Sequence, residues 1–190
     1  QYVSNADQQE IFFKYVHALA DVHAHNENYV EAALTLMLHS EKLSFESTEL
    51  LSPIGELFPQ EIERARKEKL YKIAIDYFDK GRDWERAIRL IRILCPYYES
   101  TTYEYEKLSE MMRLQGELFM KIADQKRFFS SYFYVAYYGK SFQEMGLKNK
   151  EFIYKGDEAE RLMDFVERIM KRFPNAEMLQ PLATVTEEQL

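Results

Sequence analysis

The chain has 190 residues, of which 46% are hydrophobic and 30% charged, and it carries a formal net charge of −7. That length can bury a sizeable core in one domain, or in one domain and the opening of a second. The acidic balance argues against a nucleic-acid partner, because such affinity rests on Lys and Arg displacing counterions from phosphates, and no apolar run is long enough for a transmembrane segment.

Apolar residues at three- and four-residue spacing predict a helix from about Asp7 to His25, with Phe12, Tyr15, Val16, Leu19, Ala20 and His23 on its packing stripe. Asn26 is placed to take the left-handed conformation that ends this helix. Asn28 is placed to cap a second one, striped by Tyr29, Ala32, Ala33, Leu36, Met37 and Leu43. So short a turn makes the two helices antiparallel. Between Phe45 and Pro59 the breakers Pro53, Gly55 and Pro59 predict a loop, and Leu50, Leu51, Ile54, Leu57 and Phe58 should hold that loop against the helices. The third helix, Gln60 to Lys80, carries Leu70, Ile73, Ala74, Tyr77 and Phe78. Its basic cluster of Arg64, Arg66, Lys67 and Lys69 is interrupted by Glu61, Glu63 and Glu68, the pattern of a solvated face laced with ion pairs. Gly81 stops this helix, and Asp83 caps a fourth striped by Trp84, Ala87, Ile88, Ile91 and Leu94, with Pro96 kinking or ending it.

Asn26-Glu27-Asn28-Tyr29-Val30-Glu31-Ala32-Ala33 lies over Gly81-Arg82-Asp83-Trp84-Glu85-Arg86-Ala87-Ile88 as the same device used twice: a stop, a cap, an aromatic, then a small residue. The repeat predicts a tetratricopeptide-like array of helical hairpins, in which the aromatic fills the space between helices and the alanine lets them approach. A fifth helix from about Tyr103 to Asp124 has Leu108, Met111, Met112, Gln115, Phe119 and Ile122 in register. The period then changes. Tyr132 to Phe142 is an almost unbroken aromatic and β-branched run that pauses at Gly139, and Asn149 to Gly156 answers it, which predicts a β-hairpin. With aromatics on both faces of its first strand, the hairpin should be covered on both sides, one by the helical array and the other by residues missing from this chain, which leaves an exposed apolar patch. Asp157 and Glu160 have the spacing of a capping box, opening a helix striped by Leu162, Phe165, Val166, Ile169 and Met170 and closed at Phe173-Pro174. The fold class is therefore mainly α: an antiparallel helical-hairpin array at 1–127, a β-hairpin plus helix at 128–180 opening a second lobe, and a tail or linker at 181–190.

Enzyme chemistry does not announce itself. There is no Gly-rich phosphate loop, nucleophile elbow, Cys pair or His-Glu-x-x-His helix. His23 and His25 are two apart on a helix and point to different faces, whereas His17 and His39 read as satisfied packing histidines, so no metal or other cofactor is expected. The single cysteine, Cys95, excludes an intrachain disulfide and reads as a buried small hydrophobe. Starting at Gln1 without a basic-then-apolar leader, the chain reads as a piece of a longer, soluble, cytoplasmic protein.

Several blocks resemble the second DOCK homology region, the exchange-factor domain of the DOCK family of Rho/Rac activators. They are Tyr29 to His39, Lys69-Leu70-Tyr71 through Gly81 with Trp84-Glu85 and Ala87-Ile88, Tyr105 to Glu110, Tyr132-Phe133 with Tyr137-Tyr138-Gly139, Asn149 to Phe152, and Phe173 to Ala176. The resemblance implies a region of three lobes: a helical-repeat lobe, a β-rich middle lobe and a four-helix catalytic lobe, the last two holding the GTPase. It makes this chain the first lobe plus the opening of the second, with no residue matching the catalytic loop. The implied partners are a Rho/Rac-family small GTPase, the remainder of the parent domain and a second copy of the parent as a homodimer, with recruitment of the parent to membranes. Tyr132, Phe133, Tyr134, Tyr137, Tyr138, Phe142, Phe152 and Tyr154 are the candidate lobe or partner interface. The competing reading is a tetratricopeptide-like adaptor binding a peptide or partner helix.

Overall fold

The computed structural model describes residues 5–54, 58–127 and 129–179. The expectations for Gly55, Leu57 and the tail at 181–190 lie outside the described residues. The chain forms two compact units, Gln1–Lys126 and Arg127–Leu190. In the first, helices α1 (Asn5–His25), α2 (Tyr29–Ser40), α3 (Glu63–Lys80), α4 (Trp84–Tyr97) and α5 (Tyr105–Asp124) follow one another, with strands β1 (Leu50–Leu51) and β2 (Glu61–Ile62) between α2 and α3. The second contains β3 (Tyr132–Tyr137), β4 (Lys150–Lys155) and α6 (Leu162–Arg172). The chain is thus mainly α with a β-hairpin.

The internal repeat is visible in the backbone. In the α1–α2 turn the amide of Asn28 donates to the carbonyl of His23 at 2.9 Å, and in the α3–α4 turn Asp83 donates to Phe78 at 2.8 Å. These are matching Schellman closures that satisfy the last carbonyls of the preceding helix. Gly81 stops α3 as expected, but the left-handed residue is Glu27 in the first turn, and not the expected Asn26, and Arg82 in the second, both at φ 58°. Gly81 has an ordinary φ of −79°. It is small for a different reason: a Cβ there would sit 2.6 Å from Val30 Cγ2 and 3.0 Å from the Val30 amide nitrogen, so the absent side chain lets α2 and α3 close on each other.

The main core joins Ala33 of α2, Tyr71, Ala74, Ile75 and Phe78 of α3, Trp84, Ala87, Ile88, Ile91 and Leu94 of α4, and Leu118 of α5. A separate smaller cluster holds α1, through Phe13 and Ala20, against Leu36, Leu43, Ile54, Phe58 and Leu70. Trp84 behaves as predicted, buried with its indole Nε1–H donating to Asp79 Oδ1 at 2.9 Å. The same carboxylate accepts from Lys121 of α5 at 2.7 Å, which ties α3, α4 and α5 at one point. Asp83 caps α4 by accepting from the Arg86 amide.

Several predicted stripes are rotated. On α1 the buried face is Phe13, Val16, His17 and Ala20, while Phe12, Tyr15 and Leu19 are exposed. On α3 Tyr71 and Ile75 are inside and Ile73 is out, and on α5 Leu118 replaces Met112 and Phe119. Long apolar side chains line more than one face of these helices, so spacing alone cannot choose the buried one. α3 starts at Glu63 and not at the expected Gln60, because Glu61–Ile62 form β2, which pairs antiparallel with β1 and fixes the loop, leaving Leu50 exposed and Ile54 and Phe58 buried. Pro96 lies within the last turn of α4, and a single π turn over Tyr98–Thr102 follows it. Cys95 is half-buried rather than enclosed.

Candidate functional site

Six residues of β3 face six of β4 in antiparallel register, from Tyr132 opposite Lys155 to Tyr137 opposite Lys150. Aromatic and β-branched side chains suit this half-covered pleated surface. Gly139, at φ 99°, breaks the strand before a short 3₁₀ turn at Lys140–Phe142, and the amide of Asn149 returns to the carbonyl of Tyr137 at 2.8 Å. At the other end Gly156 is buried so tightly that a Cβ would lie 2.7 Å from Phe133 Cε2 and 3.0 Å from the Ser131 carbonyl oxygen.

Strand alternation sorts the eight candidate residues into two sets. Phe133, Tyr137, Phe152 and Tyr154 share one face, and this face packs on α6 and the segment after it. The Phe133 ring stacks on Phe165 at 4.1 Å, Tyr154 meets Phe165 at 6.0 Å, and Tyr137 and Phe142 each meet Phe173 at 5.4 Å. The Tyr137 and Tyr154 hydroxyls are 2.8 Å apart, and burial followed by this bond pushes the Tyr137 phenol up to about 12. Tyr137 and Phe165 are the buried centre of this packing, with Phe133, Phe142 and Tyr154 half-buried around them and Phe152 still exposed.

The opposite face carries Tyr132 and Tyr134, 56% and 64% exposed, with Ile153 at 72%. Glu151 accepts the Tyr134 hydroxyl and holds that phenol up to about 12. Tyr138 follows the strand and is half-buried. Within this unit α6 covers the Phe133 face and not the Tyr132 face, and the open side is the exposed apolar patch expected of a hairpin whose further layer is missing from the chain. An open row of two tyrosines and an isoleucine on a two-stranded sheet is apolar surface suited to another layer or partner.

The predicted capping box is displaced. Glu160 does accept from the Asp157 amide at 2.9 Å, but it does so in the turn ahead of α6, and its carboxylate is gripped by Arg168 at 2.7 and 2.8 Å. Asp164 takes the capping role, accepting from the Arg161 amide at 3.2 Å, and Leu162 is exposed where the stripe placed it inside.

Two polar centres in the helical unit were missed or misjudged in the sequence. Arg66, assigned to a solvated face, is 2% exposed. Its guanidinium donates to the carbonyls of Ser52 at 2.8 Å and Pro59 at 2.9 Å, pairs with Glu61 at 3.4 Å and lies 5.5 Å over the Phe58 ring. The usable signal was its place: Arg66 stands four residues before Leu70 on the buried face.

His17 and His39 do pack inside, but against each other, with His17 Nε2 and His39 Nδ1 2.8 Å apart and Phe13 stacked 3.9 Å from the His39 ring. His39 Nε2 is buried with no protein partner among the described residues, which corrects the expectation of a satisfied ring. Burial first, then His17 and Arg66, lower the His39 imidazole to about 3. Burial also lowers His17, with Asp21 opposing and Arg66 adding. Beside His17 a groove of about 340 Å³ opens, lined also by Asp21, Phe58, Lys69, Lys72 and Tyr77. Among the described residues no group of three or more His, Cys, Asp or Glu is placed to hold a metal ion, and no helix is long and apolar enough to cross a membrane.

One unit is thus a repeat array of helical hairpins, and the other a two-stranded sheet with a helix on one face. A family model described as DHR-2, Lobe A matches residues 2–124, ending at the last residue of α5. The chain belongs to this DOCK family. It is 37% identical over 179 residues to dedicator of cytokinesis protein 4 of Homo sapiens and, to the same extent, to dedicator of cytokinesis protein 3 of Mus musculus. Those matches cover 94% of this chain and 9% of each relative. DOCK-like protein 1 of Saccharomyces cerevisiae is 24% identical over 174 residues, which is 91% of this chain and 9% of that protein. The chain therefore spans about a tenth of the length of the curated relatives it matches.

Proposed function

We propose that this chain is the supporting part of a guanine-nucleotide exchange domain for Rho/Rac-family small GTPases. The helical array at 1–127 braces the region, and the hairpin and helix at 128–180 open the middle lobe against which the GTPase docks. What carries the reading is the open Tyr132, Tyr134 and Ile153 face on a two-stranded sheet, next in sequence to a unit that matches Lobe A. A sheet of two strands is marginal alone and gains from further strands or a second layer. In this reading the remainder of the middle lobe supplies that cover, and the catalytic lobe lies elsewhere in the parent, so none of this chain's residues is assigned a catalytic role. The parent acts in the cytoplasm with recruitment to membranes, and assembles as a homodimer.

The test is GDP release from a panel of Rho/Rac GTPases, comparing this chain with one extended C-terminally to the length of the family's exchange domain. Acceleration by the extended chain alone is the expected result and would identify the GTPase. A folded extended chain that accelerates none of them would refute the reading and favour the adaptor.

A further inference from the structure

We propose that the His17–His39 contact is a proton-operated latch, in which two neutral imidazoles hold α1 on α2 and acidification releases α1 while the larger core persists. Three observations carry it. The two rings share one hydrogen between nitrogens 2.8 Å apart, at residues 5% and 0% exposed. A shared hydrogen of this kind requires one nitrogen to keep its lone pair, so it cannot survive double protonation.

The second observation concerns which nitrogen carries the proton. His39 Nε2 has no protein partner among the described residues. If His17 were the donor, neutral His39 would hold its hydrogen on Nε2 as a stranded buried N–H. If His39 Nδ1 donates to His17 Nε2, only a bare acceptor is left on His39, and the second placement is the cheaper. Protonating His39 would create that stranded N–H together with a buried charge, and protonating His17 would remove the acceptor.

The charges around the pair make the third. Among the described residues of α1 only Asp21 favours a protonated ring, and it acts on His17; from α3 Arg66 opposes protonation of both rings. Lys69 and Lys72 of α3 line the groove beside His17, and Glu61 of β2 is already engaged by Arg66 and Lys69. Nothing in this set supplies His39 with a counter-charge. Because α1 is absent from the main core and held through the smaller cluster, its release leaves the packing of α2 to α5 in place.

The direction follows from linkage. Both folded-state pKa values are lowered, so the released state binds more protons, and docking weakens as pH falls below the ordinary imidazole value near 6.5. Two histidines that stay neutral when docked and titrate normally when released shift the opening equilibrium about a hundredfold between pH 7.5 and 5.5.

The experiment is amide hydrogen exchange of the 190-residue chain at these two pH values, corrected for intrinsic rates. The comparison is a His17→Gln/His39→Asn variant, whose amides sit where the bonded ring nitrogens are and do not titrate. Expected is a loss of α1 protection in the wild type roughly a hundredfold greater than in the variant, with α1 less protected than α4 at pH 5.5. Equal pH dependence of the two chains, or equal protection of α1 and α4 at pH 5.5, overturns the latch. Should the variant not fold, NMR titration of the wild-type imidazoles decides: rings neutral down to the pH at which α1 opens support it, and titration near 6.5 with α1 still protected refutes it.

Discussion

Arg66→Ala should be among the most damaging single substitutions in the helical unit, and its cost can be built from the contacts. The side chain is 2% exposed and its two carbonyl partners, Ser52 at 2.8 Å and Pro59 at 2.9 Å, belong to the loop that covers the smaller core. Removing the guanidinium leaves both carbonyls without that donor, at about 1–1.5 kcal/mol each, and loses about 1 kcal/mol of buried stem. Glu61 is spared the full penalty because Lys69 still reaches it at 2.5 Å. The sum is about 3–4 kcal/mol, within the usual range for removing one member of a buried charged set. Urea unfolding followed by the fluorescence of Trp84, the chain's single tryptophan and itself 2% exposed, should show a midpoint lowered by about 1.5–2 M at a slope near 2 kcal/mol/M. Arg66→Lys keeps one charged donor but not the planar fork, and should recover about half. Arg64→Ala, two residues away, should cost under about 0.5 kcal/mol. If Arg66→Ala were no worse than Arg64→Ala, the buried guanidinium would not be what holds the loop.

Gly81→Ala should destabilise by about 1–3 kcal/mol because its Cβ meets Val30, and adding Val30→Ala should recover only part, since the Val30 backbone nitrogen remains 3.0 Å away; thermal unfolding of the three variants checks this. Tyr98→Phe removes the hydroxyl that donates to Glu68 at 2.8 Å and should cost about 1–2 kcal/mol at pH 7 by the same urea assay. Burial alone would raise the Glu68 pKa, but bonds from Lys72, Tyr98 and Lys107 outweigh it and hold the group below the usual range. Its contribution is therefore complete above the unfolded carboxylate pKa near 4.3 and is lost as pH falls through the lower folded value, so the gap between wild type and Tyr98→Phe should narrow in acid. Phe165→Ala removes the ring stacked on Phe133 and should cost about 3–5 kcal/mol, read as faster amide exchange along β3 and β4.

Helix order and the repeat were legible because they are written in local chemistry. Asn28 and Asp83 before an aromatic, with Ala32 and Ala87 three residues further on, mark where a helix begins and which side must approach its neighbour, although only Asp83 caps its helix with the side chain. Helix orientation was less legible. Ile11, Phe12, Tyr15, Leu19 and Val22 of α1 are all large, apolar and exposed, so they compete on equal terms with the residues that pack. The left-handed residues were missed for a similar reason: Asn and Gly relieve backbone strain best, but the Schellman closure puts the strain one position later, at Glu27 and Arg82, where its hydrogen bonds and the packed helices offset it.

The hairpin shows how far a sequence can identify a surface. Period-two alternation separates Phe133 and Tyr137 from Tyr132 and Tyr134 with no structure at all, yet both rows are aromatic, and nothing in either one says which meets α6. That choice is made by Phe165 and Phe173, each more than thirty residues along the chain from the β3 ring it meets, which close on the Phe133 row. The polar centres were hidden by the same kind of distance. Arg66 is one of four nearby basic residues until Ser52 and Pro59 are folded over it, and His17 is an ordinary helical histidine until α2 brings His39 alongside. Groups whose meaning depends on a partner far along the chain are read correctly only after the fold has chosen the partner, and here those groups are the buried guanidinium and the buried imidazole pair.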